Sequence, residues 1–205
     1  MHFPTRENHM YHSSVIRAGL IGAAAIAFAS CSSSTAPESR ASFVSDPTGD
    51  FIPSFDGTRG ADLDAKTMEV SYDGTMFDFN ATVVGTVGTT AGGVYVWGVN
   101  RGSGTARFGS IATGVLFDLV VIVKPGGISS VRDFNSGTAT DLPAGAVTIT
   151  GSTIDVKVSA SLLPPQGFAP EQFTSNFWPR TGLVSNSQIA DFAPDNSNAP
   201  VRSLK

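Results

Sequence analysis

Histidine and cysteine are scarce in this chain, and all of them lie near its beginning. The histidines are His2, His9 and His12, and the single cysteine is Cys31, in a sequence of 205 residues. An apolar stretch between them has the features of a cleaved leader, so the processed chain is predicted to contain no histidine and at most one cysteine, at its start. This excludes a Ser-His-Asp triad, a Cys-His nucleophile, a zinc site and an internal disulfide.

The N-terminal apolar run is too short to anchor the protein in a membrane. It covers residues 18–28 without a charge and follows a polar stretch that carries Arg6 and Arg17. A membrane span needs roughly 20 apolar residues, whereas a signal peptide has an apolar region of this length. We therefore predict a signal peptide over residues 1–30. Met10 offers an alternative start that would leave the processed protein the same.

Two cleavage sites compete at the end of this run. The sequence Phe28-Ala29-Ser30-Cys31 resembles a bacterial lipobox, with Phe28 in the place where that pattern usually has leucine. Cleavage there would leave a lipidated Cys31, which accounts for a lone cysteine in an exported chain. Because Ser32 provides no acidic inner-membrane retention signal, the predicted destination is the outer membrane. The alternative is ordinary cleavage after Ala29, which would release a periplasmic or secreted protein.

The composition after the leader favours a single acidic domain. Residues 31–42 lack large apolar side chains and are predicted to form a flexible tether, followed by one domain over residues 43–205. Without residues 1–30 the chain has 11 basic and 16 acidic side chains, a balance that disfavours nucleic acid as a partner. Of the acidic residues 13 are aspartate and three are glutamate, which favours turns over helices.

The predicted fold is an all-β, antiparallel two-sheet β-sandwich with little helix. Short β-branched and aromatic runs alternate with Gly, Asn, Asp and Pro at intervals of about ten residues. Two hairpins are predicted, at Asp73-Gly74 and at Gly151-Ser152. The predicted hairpin arms are residues 66–72 with 75–83 and residues 147–150 with 153–158. Apolar and charged residues alternate in the last arm, which predicts that one face of this strand is exposed to solvent.

Other segments are predicted from their apolar runs. Two near-continuous runs are predicted to be central strands covered on both sides, at residues 93–99 and 116–123. Further strands are predicted at residues 128–134, 173–179 and 187–192, with one helical turn at residues 159–163.

Several motifs follow one another in a fixed order along the folded part of the chain. They are Asp46-Pro-Thr-Gly-Asp50, Ala61-Asp62-Leu63-Asp64, the hairpin at residues 67–83, the hairpin at residues 148–158, and Asn176-Phe-Trp-Pro-Arg180. This order resembles the DOMON-like and family 9 carbohydrate-binding-module superfamily of β-sandwiches. Through residues 95–101 and 191–195 the chain is also similar to uncharacterised bacterial exported lipoproteins. The resemblance implies the sandwich fold and a tendency to bind sugar or metal.

Aspartates near both chain ends form the candidate metal site. Near the start of the domain these are Asp46, Asp50, Asp62 and Asp64, spaced by glycine and proline, and calcium takes oxygen ligands from such loops. The tail adds a second acidic segment, and the two ends of a sandwich can meet. The resemblance places calcium at the N-terminal loop, on Asp46, Asp50 and Asp62. The predicted ligands are Asp46, Asp50, Asp62 and Asp195; the alternative is ordinary turn chemistry.

Both tryptophans form the candidate ligand site. Each has an amide and a guanidinium within four positions, a combination that suits a sugar ring stacked on an exposed indole. The predicted ligand-binding residues are Trp97, Asn100, Arg101, Asn176, Trp178 and Arg180. In the alternative interpretation the indoles belong to the core, and the arginines pair with Asp118, Asp133 or Asp191.

These residues predict an exported, non-catalytic binding module with carbohydrate as ligand and calcium as a structural ion. No carboxylate pair stands out for catalysis, and a haem would have only Met68 and Met76 as axial ligands. The alternative is a structural or interaction lipoprotein of the cell surface without a small-molecule ligand. An exposed indole beside Asn and Arg favours the binding module, whereas two buried indoles favour the alternative.

Overall fold

The structure is a computed structural model that describes residues 42–205. Fourteen strands lie in this part of the chain, and the remaining regular structure consists of single 3-10 turns. The strands are β1 Val44–Ser45, β2 Ala65–Tyr72, β3 Met76–Val83, β4 Val94–Asn100, β5 Thr105–Ala106, β6 Leu116–Phe117, β7 Leu119–Val123, β8 Ser130–Asp133, β9 Ala139–Asp141, β10 Val147–Thr150, β11 Thr153–Ser159, β12 Thr174–Arg180, β13 Ala199–Pro200 and β14 Arg202–Ser203. The 3-10 turns are Ala61–Leu63, Gly109–Ile111, Ala160–Leu162, Pro170–Gln172 and Asn186–Gln188.

The strands form two six-stranded sheets, which confirms the predicted all-β sandwich. The first sheet has the order β1-β2-β3-β11-β10, with β14 beside β2, and the second has the order β13-β12-β4-β7-β8-β9. Apolar side chains from both sheets form one core, including Phe79 of the first sheet and Trp97 of the second. Strands β5 and β6 pair separately.

Both predicted hairpins are confirmed in the first sheet. The turn between β2 and β3 is closed by the Asp73 carboxylate, which accepts hydrogen bonds from the N–H groups of Thr75 and Met76. Gly74 adopts a φ of 107°, in the left-handed region that favours glycine. Strands β10 and β11 form the second hairpin, in the register Thr150 opposite Thr153.

Strand β11 has one buried and one polar face, as predicted. Ile154, Val156 and Val158 are fully buried in the core. Lys157, on the opposite face, forms a 2.9 Å ion pair with Asp78 of the neighbouring strand β3. Alternation with a period of two residues therefore decides which face of the first sheet packs against the second.

The central strands of the second sheet are buried on both faces, which confirms the prediction within residues 93–99 and for residues 119–123; residues 116–117 form β6 instead, outside this sheet. Every residue of β4 and β7 is buried. Tyr95 and Trp97 of β4 point into the core between the sheets, whereas Val96 belongs to a second apolar cluster on the outer face. This outer cluster consists of Val94, Val96, Phe108, Ala112, Val115, Phe117, Val120, Ile122, Trp178, Ile189 and Phe192.

The remaining predicted segments differ in outcome. Strands are confirmed within residues 128–134 and 173–179, and a 3-10 turn occupies Ala160–Leu162. The strand predicted at residues 187–192 is wrong: Ser185 caps a 3-10 turn by accepting a hydrogen bond from the N–H of Ser187, and only an isolated bridge at Ile189 follows.

The predicted signal peptide (residues 1–30), Cys31 and residues 31–41 of the tether lie outside the described residues. Within residues 42–205, none of the helical segments has the length and hydropathy that crossing a bilayer would require.

We predict that Gly98→Ala destabilises the domain by about 1–3 kcal/mol, because a new methyl group would overlap a buried ring. The added Cβ would lie 2.5 Å from Cζ3 of Trp178 and 3.1 Å from Cβ of Phe117. Urea unfolding gives the measurement. Combined with Trp178→Leu, Gly98→Ala should cost less than it does alone; strictly additive effects would contradict the proposed contact.

Candidate functional site

Three aspartates from distant parts of the sequence converge at one end of the sandwich. Asp46 directly follows β1, Asp50 lies in the next loop, and Asp191 follows the bridge at Ile189. Each offers a carboxylate oxygen, and these three oxygens lie within 4.8 Å of one another. Asp64 and Asp195 are close enough to act electrostatically on Asp46. We call these five residues the aspartate pocket.

Backbone hydrogen bonds hold the aspartate pocket in place. The N–H of Asp46 donates to the carbonyl of Lys66 at the start of β2, at 2.9 Å. The Asp191 carboxylate accepts hydrogen bonds of 2.8 Å from the N–H groups of Ala65 and Phe192. The pocket therefore joins the beginning of the domain to its C-terminal segment.

A glycine shapes the loop between Asp46 and Asp50. Gly49 has a φ of 84°, and its N–H donates to Oδ2 of Asp64 at 2.9 Å. This contact brings the loop against the start of β2, and with it the carboxylate of Asp50.

Two carboxylate oxygens in the pocket are buried without a hydrogen-bond donor. They are Oδ2 of Asp46 and Oδ1 of Asp64, on residues that are 8% and 6% exposed. Burial of an ionised oxygen without a partner is costly, and buried charges are normally paired or bound to a metal. Nothing cationic from residues 42–205 forms an ion pair with either residue.

The electrostatics of the pocket favour uptake of positive charge. Burial, followed by repulsion from Asp191, Asp195, Asp50 and Asp64, raises the pKa of Asp46 to about 8. Burial likewise raises the pKa of Asp191 to about 7, despite the hydrogen bonds that its carboxylate accepts. Near neutral pH Asp46 and, in part, Asp191 therefore carry protons, unless a bound cation replaces these protons.

The predicted metal ligands are brought together only in part. Asp46 and Asp50 belong to the group of three, and Asp195 lies at the margin of the pocket. Asp62 is not part of the group, and its prediction as a ligand is corrected here. Asp191 was not among the predicted ligands, although it lies in the same acidic segment as Asp195.

Asp62 instead anchors a loop of the second sheet. Its carboxylate accepts hydrogen bonds from the hydroxyl of Tyr95 at 2.9 Å, and from the N–H and the hydroxyl of Thr90 at 2.9 Å and 2.5 Å. Burial alone would raise the pKa of Asp62, but these donors lower it. Its oxygens are thus already satisfied by the protein.

The structure does not present Trp97 as a stacking surface for a sugar. Its side chain is fully buried between the sheets, with ring centroids 4.6 Å from Phe177 and 6.1 Å from Phe79. A sugar ring cannot reach an indole inside the core, so the predicted contact is corrected to a packing role.

Trp178 is also buried, but on the outer face of the second sheet. It is 1% exposed and contacts Phe108 edge-to-face, with ring centroids 4.9 Å apart. Gly98 leaves the space that the indole occupies. The predicted stacking of a sugar on an exposed Trp178 does not fit this packing, although its indole lines a cavity.

The polar residues beside Trp97 bind parts of the protein itself. Nε of Arg101 forms a 2.6 Å ion pair with the buried carboxylate of Asp118, and Nη2 lies 3.0 Å from Asp133. The structure thus shows Arg101 paired with Asp118 and Asp133, as the alternative interpretation predicts. The side-chain oxygen of Asn100 accepts hydrogen bonds from the N–H groups of Gly102 and Gly104. Their predicted role as ligand contacts is corrected to a structural one.

Of the polar residues beside Trp178, one is structural and one lines a cavity. The amide nitrogen of Asn176 donates to the carbonyls of Pro194 at 2.5 Å and Ser197 at 2.8 Å, so its predicted ligand contact is corrected. Arg180 donates to the carbonyls of Gly182 and Ser185 and lines the same cavity as Trp178.

Comparison with protein-family models gave no match, and searches of curated proteins and of solved structures gave none either. The resemblance to the DOMON-like and carbohydrate-binding-module superfamily therefore stays a prediction that rests on the quoted motifs.

We predict that in calcium-free buffer the domain loses stability as the pH rises from 5 to 8.5. The pKa values of Asp46 and Asp191 in the folded state are about 8 and about 7, above the ordinary 3.8. The folded state therefore keeps protons that the unfolded state has lost, and this stabilisation disappears as the pH passes through both values.

Urea midpoints at several pH values provide the measurement. Asp46→Asn should flatten the profile, because the amide has no proton to lose. A wild-type stability that is constant or rises between pH 5 and 8.5 would contradict the raised pKa values.

Proposed function

We propose that this chain is an exported, non-catalytic binding domain whose sandwich is stabilised by one calcium ion in the aspartate pocket. The observation that carries the proposal is the meeting of Asp46, Asp50 and Asp191 around a buried oxygen of Asp46 that has no donor. Within the described residues this group contains only oxygen ligands, without histidine or cysteine.

The chemistry of the pocket suits calcium. Calcium binds six to eight oxygens at about 2.3–2.6 Å, so two ligands of one ion lie within about 5 Å of each other. The oxygens of Asp46, Asp50 and Asp191 satisfy this limit at 4.8 Å. Asp50 is exposed, which leaves room for water to complete the coordination. Magnesium demands a stricter octahedral geometry, which makes it the less suitable ion.

A calcium ion would connect the two ends of the domain. Asp46 and Asp50 precede β2, whereas Asp191 lies after β12. A metal that joins such distant segments stabilises the folded chain, because the unfolded chain rarely brings these ligands together. When calcium binds, it replaces the protons that these carboxylates otherwise hold, and it balances the negative charges that would repel one another. The role proposed for the ion is structural.

Exposed indoles, the feature that favoured carbohydrate as a ligand, are not found in the described residues. The two indoles that would have stacked on a sugar are 0% and 1% exposed. Their burial favours the alternative of a structural or interaction domain over a sugar-stacking module. The proposed binding function therefore requires a surface that includes neither Trp97 nor the face of the Trp178 indole that packs on Gly98.

Attachment to the outer membrane through Cys31 is part of the proposal. Its support is the sequence Phe28-Ala29-Ser30-Cys31 after an apolar run of signal-peptide length. Residues 31–42 would then act as a tether between the lipid and the domain.

We predict that calcium stabilises the wild-type protein and that Asp46→Asn abolishes this effect. At a free calcium concentration about 100 times Kd, the gain should be about 2.7 kcal/mol. In calcium-free buffer at pH 8, Asp46→Asn should be more stable than the wild type, because it removes a repelling carboxylate. A purely structural aspartate would show the opposite change.

Thermal unfolding with and without calcium measures both effects. Asp141→Asn, an exposed position in β9, is the matched control and should respond to calcium as the wild type does. An unchanged melting temperature of the wild type in calcium would reject the metal site, and so would an equal response of Asp46→Asn.

We predict that the wild-type protein incorporates labelled fatty acid and fractionates with membranes, whereas Cys31→Ser does neither. The cysteine thiol is the group that the lipid modifies. A wild-type protein that is processed but unlabelled and soluble would instead support cleavage after Ala29.

A further inference from the structure

A cavity opens on the outer face of the second sheet, away from the aspartate pocket. Its volume is about 230 Å³. For comparison, an engineered apolar cavity of about 150 Å³ is large enough to bind benzene. We call it the outer cavity; it is lined by Val96, Arg107, Phe108, Phe117, Val120, Ile122, Arg132, Phe134, Trp178, Arg180, Leu183 and Asn186.

The walls of the outer cavity are mostly aromatic and aliphatic. Phe108, Phe117 and Trp178 contact one another there, with ring centroids 4.9–5.1 Å apart. Leu183 lies at the margin and is 44% exposed. Such walls favour a ligand with a flat apolar body.

The charged groups of the outer cavity are all positive. Arg107, Arg132 and Arg180 make up half of the six arginines in residues 42–205, in a chain whose formal net charge is −4. None of the lining residues is acidic. Among the described residues, none of these three arginines forms an ion pair with a carboxylate.

Arg180 is the most unusual of the three cations, because it is buried without a negative partner. It is 8% exposed and donates only to the backbone carbonyls of Gly182 and Ser185, the latter at 2.8 Å. Burial lowers its pKa to about 10. A buried cation with neutral partners alone is destabilising, and a bound anion would offset this cost.

The other two arginines lie close to the same aromatic ring. The guanidinium carbons of Arg107 and Arg132 lie 4.6 Å and 5.4 Å from the ring centroid of Phe134. Two like charges therefore share one ring, with no described carboxylate paired to either. Nε of Arg107 donates to the carbonyl of Phe117 at 3.4 Å, and the remaining guanidinium N–H groups are of the kind that bind a carboxylate.

We propose that the outer cavity binds a small organic acid, with an apolar body of about the size of benzene in the cavity and a carboxylate held by the arginines. This assignment rests on the proposed role as a non-catalytic binding domain and names its ligand class. A sugar fits less well, because apart from the arginines only Asn186 and the indole N–H of Trp178 contribute polar side-chain groups to the lining, which are few for the many hydroxyl groups of a sugar.

Titration of the calcium-loaded protein with benzoate, followed by ¹H–¹⁵N NMR, tests the proposal. The indole N–H of Trp178 should shift with millimolar affinity, as expected for a ligand of this size. The indole N–H of Trp97 should stay in place, because it lies on the opposite face of the same sheet.

Charge-removing variants locate the site. Arg107→Gln and Arg132→Gln are both at exposed positions and should each weaken benzoate binding by about tenfold or more, as loss of a charged hydrogen bond does. Lys157→Gln, an equal change of charge on the outward face of the first sheet, should leave the affinity unchanged. Equal affinity in all variants would overturn the proposal.

Two further probes, neutral benzamide and inorganic phosphate, complete the experiment. Absence of a Trp178 shift with benzoate, equal binding of neutral benzamide, or equal binding of inorganic phosphate would each overturn the assignment to an organic acid. The calcium proposal is tested separately, by thermal unfolding. If calcium stabilises the protein but benzoate does not shift the Trp178 indole N–H signal, only the proposal for the outer cavity is rejected. If benzoate binds but calcium does not stabilise the protein, only the metal site is rejected.

Discussion

Mutual repulsion among five carboxylates, three of them buried and two exposed, is the constraint on which the closure of this sandwich depends. Asp46 and Asp50 come from the first loop of the domain, Asp64 directly precedes β2, and Asp191 and Asp195 come from the C-terminal segment. Their approach brings the two ends of the domain together, but ionised carboxylates in such a position repel one another. Either protons or a cation must therefore accompany the native fold, and a calcium ion meets this requirement with oxygen ligands alone.

The second structural constraint is that both faces of the central strands of the second sheet are buried. One face forms the core against the first sheet, and the other is covered by the segments that carry Phe108, Phe117 and Phe192. This arrangement explains why both tryptophans are inaccessible although they point in opposite directions. It also creates a partly filled apolar layer outside the sheet, in which the arginines of the outer cavity lie.

The hairpins could be predicted from the sequence because their determinants are local. Alternation in β11 and the Asp73-Gly74 turn lie within a few residues of the contacts that they determine. The exposure of the tryptophans could not be predicted in this way: β4 is apolar throughout, so its sequence contains no polar face that would indicate which side is covered. The strand expected at residues 187–192 failed because Ser185 caps a competing turn.

The choice of metal-site residues shows the same limit. Asp62 and Asp191 both lie between an alanine and a larger apolar residue, and nothing local distinguishes them. What separates them is long-range contact: Tyr95 and Thr90 satisfy the oxygens of Asp62, whereas the carboxylate of Asp191 meets that of Asp46 across the ends of the domain. The arginines of the outer cavity are likewise distant in sequence, so their convergence has no sequence motif.

Calorimetric titration of calcium into the metal-free protein at pH 7, repeated in buffers with different ionisation enthalpies, tests the central claim most directly. Because Asp46 and Asp191 have pKa values of about 8 and about 7, calcium must displace protons as it binds. The account predicts one ion per chain and a heat that depends on the buffer because protons are released. Absence of binding, or binding without proton release, would contradict it.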